Sequence, residues 1–189
     1  MNRNGVWLLG GAALLAVLAY TQRQSLTSGV QSVSEDIEAA VAGWKTVGDG
    51  PTWMPVLNAA ETSYGLPQDL LARVAYQESR FRADVITGAT ASPAGALGIM
   101  QLMPQYFSTV QGGRPFTADV TRAQIDQAAQ LLSGLYGHFG DWTLAVAAYN
   151  DGQGNVDAYL AGNRALPAET QRYVASVNDD VPLPGVLTA

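Results

Sequence analysis

The sequence predicts a predominantly α-helical domain preceded by an N-terminal hydrophobic helix. Three observations point that way. Apolar residues recur at three- and four-residue spacing, and no strong period-two alternation or internal repeat interrupts them. Residues that start or stop helices, Gly65, Pro67, Pro104, Asp141 and Pro167, stand at the edges of those apolar runs. A hydrophobic content of 48% with 20 Gly in 189 residues is ample for a core and argues against disorder. The length suits one compact domain plus an appendage.

Gly5 to Tyr20 is a weakly polar to apolar run between Arg3 and Gln22-Arg23-Gln24. As a helix it spans about 24 Å, somewhat short of a hydrocarbon core of about 30 Å. Val17-x-Ala19 offers a small-residue cleavage pattern, so residues 1–24 read as a secretory signal or a membrane anchor. The anchor is favoured because the run continues to Tyr20, an interfacial residue, with Arg23 beyond. Residues 25–50 form a polar spacer in which Val33, Ile37, Val41 and Trp44 share a helix face, ahead of the Gly48-Asp-Gly-Pro51 break.

The globular pattern occupies residues 51–180, with 181–189 as a tail. A helix near 52–64 ends at Gly65, and Pro67 opens another that runs to Ser79. Residues 82–98, rich in Gly, Ala, Thr, Ser and Pro, read as a loop. Pro104 is expected to start a helix to Val110. Ile125, Ala128, Ala129, Leu132, Leu135, Tyr136 and Phe139 mark a long core helix. Asp141 caps the next, through Tyr149, and a final helix follows Pro167.

Composition excludes several chemistries. There is no cysteine, which removes disulfides and thiol catalysis. A single histidine, His138, removes most zinc sites and makes a Ser-His-Asp triad unsuitable. The net charge is −6 and no basic run exists, which disfavours nucleic acid as a partner. The Asp151-to-Asp157 string has Val156 and Gly162 where a calcium loop needs Gly and Glu, so no metal is expected.

The most informative residue is Glu78. Leu71, Val74 and Ala75 lie seven, four and three residues before it, placing its carboxyl on the apolar face of its helix. Burial there raises a carboxyl pKa and makes the group a candidate general acid. The alternative is a Glu that swings out at a frayed end or is satisfied by Arg73, Arg80 or Arg82.

Around it stand Glu78-Ser79-x-Phe81, then Ser92-Pro-Ala-Gly-Ala-Leu-Gly98-Ile-Met-Gln101-Leu-Met-Pro104, then Ala148-Tyr149-Asn150-x-Gly152-x-Gly154, then Glu169-Thr-x-x-Tyr173-Val. In this order they resemble the soluble-type lytic transglycosylases, which share the goose-type lysozyme fold. The resemblance covers residues 53 to 178 and departs in a longer segment between Glu78 and Ser92. It implies a lysozyme-like helical domain acting on peptidoglycan glycan strands with no cofactor. Glu78 would protonate the oxygen between N-acetylmuramic acid and N-acetylglucosamine, then take the proton of the muramoyl O6 hydroxyl as it attacks C1. A 1,6-anhydro ring closes without water, so no second carboxylate is required, unlike in most glycosidases. Asp84, Asp141 and Asp151 are the candidates for a second carboxylate, and capping or solvation suits each better.

The resemblance also implies substrate contacts. Ser92 would bind the muramoyl side, Met100 and Gln101 would form a cleft wall, and Gly98 would let the backbone approach the sugar. Asn150 has an amide suited to an acetamido group, with Tyr149 beside it as a wall or core residue. Tyr173 could aim its hydroxyl at Glu78. A membrane partner through residues 5–20 and a virion or secretion assembly fit a local wall-opening part of a larger machine. A muramidase, or a glycan-binding structural component, are the other readings of the same residues.

Overall fold

The computed structural model describes residues 43–183. The hydrophobic run Gly5–Tyr20 and the spacer residues Val33, Ile37 and Val41 lie outside these. Among the described residues no helix is long and apolar enough to cross a membrane.

Trp44–Thr46 forms one 3-10 turn, followed by helices α1 (Gly50–Tyr64), α2 (Leu70–Ser79), α3 (Ala83–Ile86), α4 (Ala118–Phe139), α5 (Trp142–Asp151), α6 (Gln153–Leu160) and α7 (Ala168–Asp180). The only extended pairing among the described residues is a bridge between Leu97 and Leu102. The predominantly helical fold read from the sequence is therefore present in the described residues.

Helix α1 has Pro51 in its first turn and stops at Gly65, whose φ of 68° only glycine adopts without strain. Residues 44–50, within the expected spacer, lie against the domain. Val47 is buried, Lys45 pairs with Asp69 at 2.7 Å, and the Asp49 amide donates to the Phe81 carbonyl at 2.9 Å. Long helix α4 buries Ile125, Ala128, Ala129, Leu132 and Leu135 against α1 and α5. Truncating such a fully buried Leu costs about 2–5 kcal/mol. Tyr136, expected on this core stripe, is exposed and stacks on Trp142 with ring centroids 4.1 Å apart. Asp141 caps α5 as expected, its carboxylate accepting the Leu144 amide at 3.0 Å. Helix α5 packs on α7, and α7 on α2, which brings the helices carrying Tyr149, Tyr173 and Glu78 together.

Four expectations need correction. Helix α2 starts at Leu70, not at Pro67, because Asp69 takes a left-handed φ of 68° and turns the chain. The free amides at that start are met by buried Glu61 of α1, which accepts from Asp69 at 2.8 Å and Ala72 at 3.0 Å. The 82–98 segment is not all loop: it contains α3, where Asp84 pairs with Arg82 at 2.8 Å and accepts the Thr90 hydroxyl. Pro104 starts no continuous helix, only a turn and the 3-10 stretch Ser108–Val110, which buries Val110 alone. Helix α6 was not foreseen. Gly152, at φ 92° and ψ 142°, redirects the chain into it, and only Val156 of α6 is buried, so no apolar stripe announces it.

Candidate active site

Glu78 lies one residue before the end of α2. Leu71, Val74 and Ala75, the residues of its stripe, are fully buried. The helix stops there because Arg80 and Phe81 both adopt positive φ, at 50° and 52°. Phe81 holds this turn: its ring is wholly buried, and its carbonyl accepts the Asp49 amide. Ser79 has a structural part in the same turn, donating to the Ala75 carbonyl at 2.8 Å and accepting the Phe81 amide at 3.2 Å. A left-handed pair of non-glycine residues directly after a reactive carboxyl is backbone strain held by the surrounding packing.

The Glu78 side chain keeps part of its surface open while protein surrounds the rest. Burial pushes its carboxyl up to about 7. Two groups pull the other way: the Tyr173 hydroxyl, which donates to Oε1 at 2.5 Å, and the Arg80 charge. Burial wins because removing a carboxylate from water outweighs one hydrogen bond and a partly solvated cation. Of the three arginines that could have satisfied Glu78, Arg73 and Arg82 are committed to Asp180 and Asp84. Near pH 7 the carboxyl is thus shared between its neutral and ionised forms, with a donor already in place for the ionised one.

Tyr173 is held there by an anchor between α2 and α7. Buried Arg73 donates to Asp180 at 2.6 Å, to the Ser176 carbonyl and hydroxyl at 2.8 Å each, and to Gln77 at 3.1 Å. Tyr149 donates to the Met100 carbonyl at 2.8 Å. Burial and then the Glu78 charge raise the pKa of both tyrosines well above the ordinary phenol value, so both stay protonated.

Leu97 and Leu102 exchange backbone hydrogen bonds of 2.9 and 3.0 Å, closing a tight hairpin that presents Gln101. Gln101 takes a strained φ of 47°, and its amide donates to the Gly98 carbonyl at 2.9 Å. Gly98 has a packing role as well. A Cβ at this position would overlap the side-chain amide of buried Gln124, and φ is 78°. Glycine is needed here for the hairpin to sit on α4. Met100 is likewise fully buried, so its side chain belongs to the core and its carbonyl serves Tyr149. Ser92 is half-buried, and its hydroxyl accepts the Ala96 amide at 2.9 Å within its own turn.

Gln101, Tyr149 and Asn150 together line a groove of about 420 Å³ that also has Tyr106 and Gln153 on its walls. Glu78 does not line it, and its charge acts on Tyr149, which does. The three carboxylates weighed as partners are engaged elsewhere: Asp84 with Arg82, Asp141 with the start of α5, and Asp151 with Arg164 at 3.1 Å. His138, at the end of α4, pairs with Asp157 at 2.8 Å on the surface. Among the described residues no cluster of three acidic or histidine side chains could hold a metal.

Sequence reading missed Glu61, Arg73 and Gln124. Glu61 had the same signal as Glu78, a carboxyl four residues after buried Leu57 on an apolar face. Arg73 and Gln124 had none, since the residues that fix them, Ser176 and Asp180 for the first and Gly98 packed against the second, lie far away in sequence.

A family profile described as the transglycosylase SLT domain matches residues 55–171. The chain is 32% identical over 126 residues to peptidoglycan transglycosylase gp16 of Escherichia phage T7, covering 64% of this chain and 9% of that protein. It is also similar to the solved structure of an inactive Glu-to-Gln mutant of the lytic transglycosylase Slt from Pseudomonas aeruginosa. That likeness has 30% identity and a TM-score of 0.51, over 65% of this chain and 22% of the other. The chain thus spans a small part of the length of both.

Proposed function

The chain belongs to the transglycosylase SLT domain family, and on that premise we propose that it is a peptidoglycan lytic transglycosylase with Glu78 as its single acid and base. The observation that carries this reading is the Glu78 carboxyl, raised to about 7 by burial and held by the Tyr173 hydroxyl at 2.5 Å. A carboxyl poised there can donate a proton and then take one back near neutral pH. It first protonates the bridging oxygen between N-acetylmuramic acid and N-acetylglucosamine. The Tyr173 hydrogen bond favours the carboxylate that results, which then accepts the proton of the muramoyl O6 hydroxyl as O6 bonds to C1. The bond to the leaving sugar breaks, the 1,6-anhydro ring closes, and the carboxyl ends as it began. The chemistry asks for no second carboxylate.

Gln101 and Asn150 present amides that suit acetamido and hydroxyl groups of the glycan, with Tyr149 beside them on the groove. Ser92 orients the muramoyl side from its turn, and Met100 acts through its carbonyl. Residues 51–180 are the catalytic domain, and residues 25–50 connect it to the segment before. That segment, Gly5–Tyr20, tethers the domain to a membrane with the active site facing the wall. The phage relative supports a place in a virion or injection assembly, with local opening of the wall as the task. The test is digestion of purified sacculi by wild type and by Glu78→Gln. The account expects soluble muropeptides from the first and, with sacculus binding retained, essentially none from the second. Turnover of more than a few per cent by the Gln variant would remove Glu78 from the role.

A further inference from the structure

Two supports meet at Glu78: the left-handed turn that follows it and the Arg73 anchor that holds Tyr173. Residues 44–50 touch both. The Asp49 amide donates to the Phe81 carbonyl at 2.9 Å. Gly48 comes so near that a Cβ there would stand 2.5 Å from the same carbonyl oxygen and 3.1 Å from its carbon. A Cβ on Gly50 would lie 3.0 Å from the Phe81 ring. At the other end, the Trp44 and Tyr76 rings are 6.0 Å apart, and the Arg73 guanidinium sits over both, 5.9 and 5.1 Å from their centroids. We propose that residues 44–50 are a strap that positions the Glu78–Tyr173 pair for catalysis, with Gly48 and Trp44 as its positioning residues. The inference rests on the transglycosylase reading, since it takes Glu78 as the acid and base.

The turn needs such a hold. Arg80 and Phe81 stand at φ 50° and 52°, a region that non-glycine residues keep only when their surroundings enforce it. The strap is fastened at both ends of α2. Lys45 pairs with Asp69 at 2.7 Å just before the first residue of that helix, and Asp49 binds Phe81 just beyond the last. Between these points Val47 is buried and its carbonyl accepts the Gly50 amide at 2.9 Å. The Gly48-Asp-Gly50 break of the sequence thereby acquires a reason. At φ 50° against a backbone carbonyl, position 48 has room for no side chain, and position 50 has little more. No atom of the strap belongs to the reacting groups: it acts through Phe81 on Glu78 and through Arg73 on Tyr173.

Gly48→Ala tests the arm at the turn. A methyl group cannot share the space of a backbone carbonyl, so the strap must lift from Phe81, which faster hydrogen exchange at the Asp49 amide reports. Release of the turn lets water reach the carboxyl. On sacculi kcat should fall about tenfold with KM unchanged, and the alkaline limb of the pH profile should move to lower pH. The other groups that act on Glu78, Tyr173 and Tyr149 from α7 and α5 and the Arg80 charge, are all kept in this variant. Trp44→Ala tests the Arg73 arm and should give the same kind of kcat loss, restored by Trp44→Phe. Ile125→Val trims the buried stripe of α4 and lowers the melting temperature without touching the strap, so it should keep wild-type kcat and pH profile. Faster exchange at Asp49 with wild-type kcat and pH profile in Gly48→Ala overturns the proposal. Exchange at Asp49 that stays as in wild type overturns it too. If Gly48→Ala fails to fold, Trp44→Ala decides: a loss no larger than that of Ile125→Val at equal melting temperature overturns the strap. Where wild type releases muropeptides and Glu78→Gln does not, such results remove only the strap. Where wild type releases none, the transglycosylase reading fails first and the strap with it.

Discussion

Replacing Glu78 by Gln should stabilise the protein, and only at higher pH. The wild-type carboxyl titrates at about 7 in the fold against an ordinary 4.5. At about 1.4 kcal/mol per tenfold change, the folded state therefore disfavours the ionised form by about 3 kcal/mol. The folded pKa is the raised one, so the favourable contribution of the neutral acid is complete below pH 4.5 and is lost as pH climbs through 7. A glutamine never ionises, and its oxygen can still accept the Tyr173 hydroxyl. The variant should match wild type near pH 4.5 and exceed it by up to about 3 kcal/mol well above pH 7, roughly 6–12 °C in melting temperature. Urea unfolding at matched pH values reads the difference directly. A gap that is constant across pH would mean that burial does not tune this carboxyl.

Three further outcomes follow from the same geometry. Turnover should fall as pH rises above about 7, because the proton donor is lost there; a rate that keeps rising with pH would contradict an acid first step. Tyr173→Phe removes a hydrogen bond that lowers the Glu78 pKa, so the alkaline limb of the pH profile should move up while turnover drops about tenfold; pH–rate measurement on sacculi checks both. Arg73→Met breaks the anchor between α2 and α7 and should cost about 2–3 kcal/mol in urea unfolding, with lower turnover because Tyr173 is no longer held against Glu78.

The long helices were readable because their burial is local and periodic. The stripe of α4 and the cap of α5 each rest on residues within a few positions of one another, as does the apolar face below Glu78. Other features depend on partners that periodicity cannot see. Helix α2 starts where Glu61 of α1 meets its amides, and Gly98 is required by Gln124, which lies 26 positions further on (124 − 98). Helix α6 buries one residue and has no stripe to read. At the site, the motif order pointed to Glu78 and Tyr173, whose contact needs only that two helices pack. Met100 and Gln101 part because a tight hairpin turns consecutive residues in opposite directions, sending the Met100 side chain into the core and leaving Gln101 on the groove.

The central claim is that one carboxyl moves a proton out and back while the substrate's own hydroxyl replaces water. Digestion of sacculi in water enriched in heavy oxygen, followed by mass spectrometry of the released muropeptides, tests it most directly. The account predicts 1,6-anhydro ends with no heavy oxygen incorporated, and their disappearance in Glu78→Gln. Reducing ends carrying the heavy label would show that water attacks C1, and the enzyme would then be a muramidase.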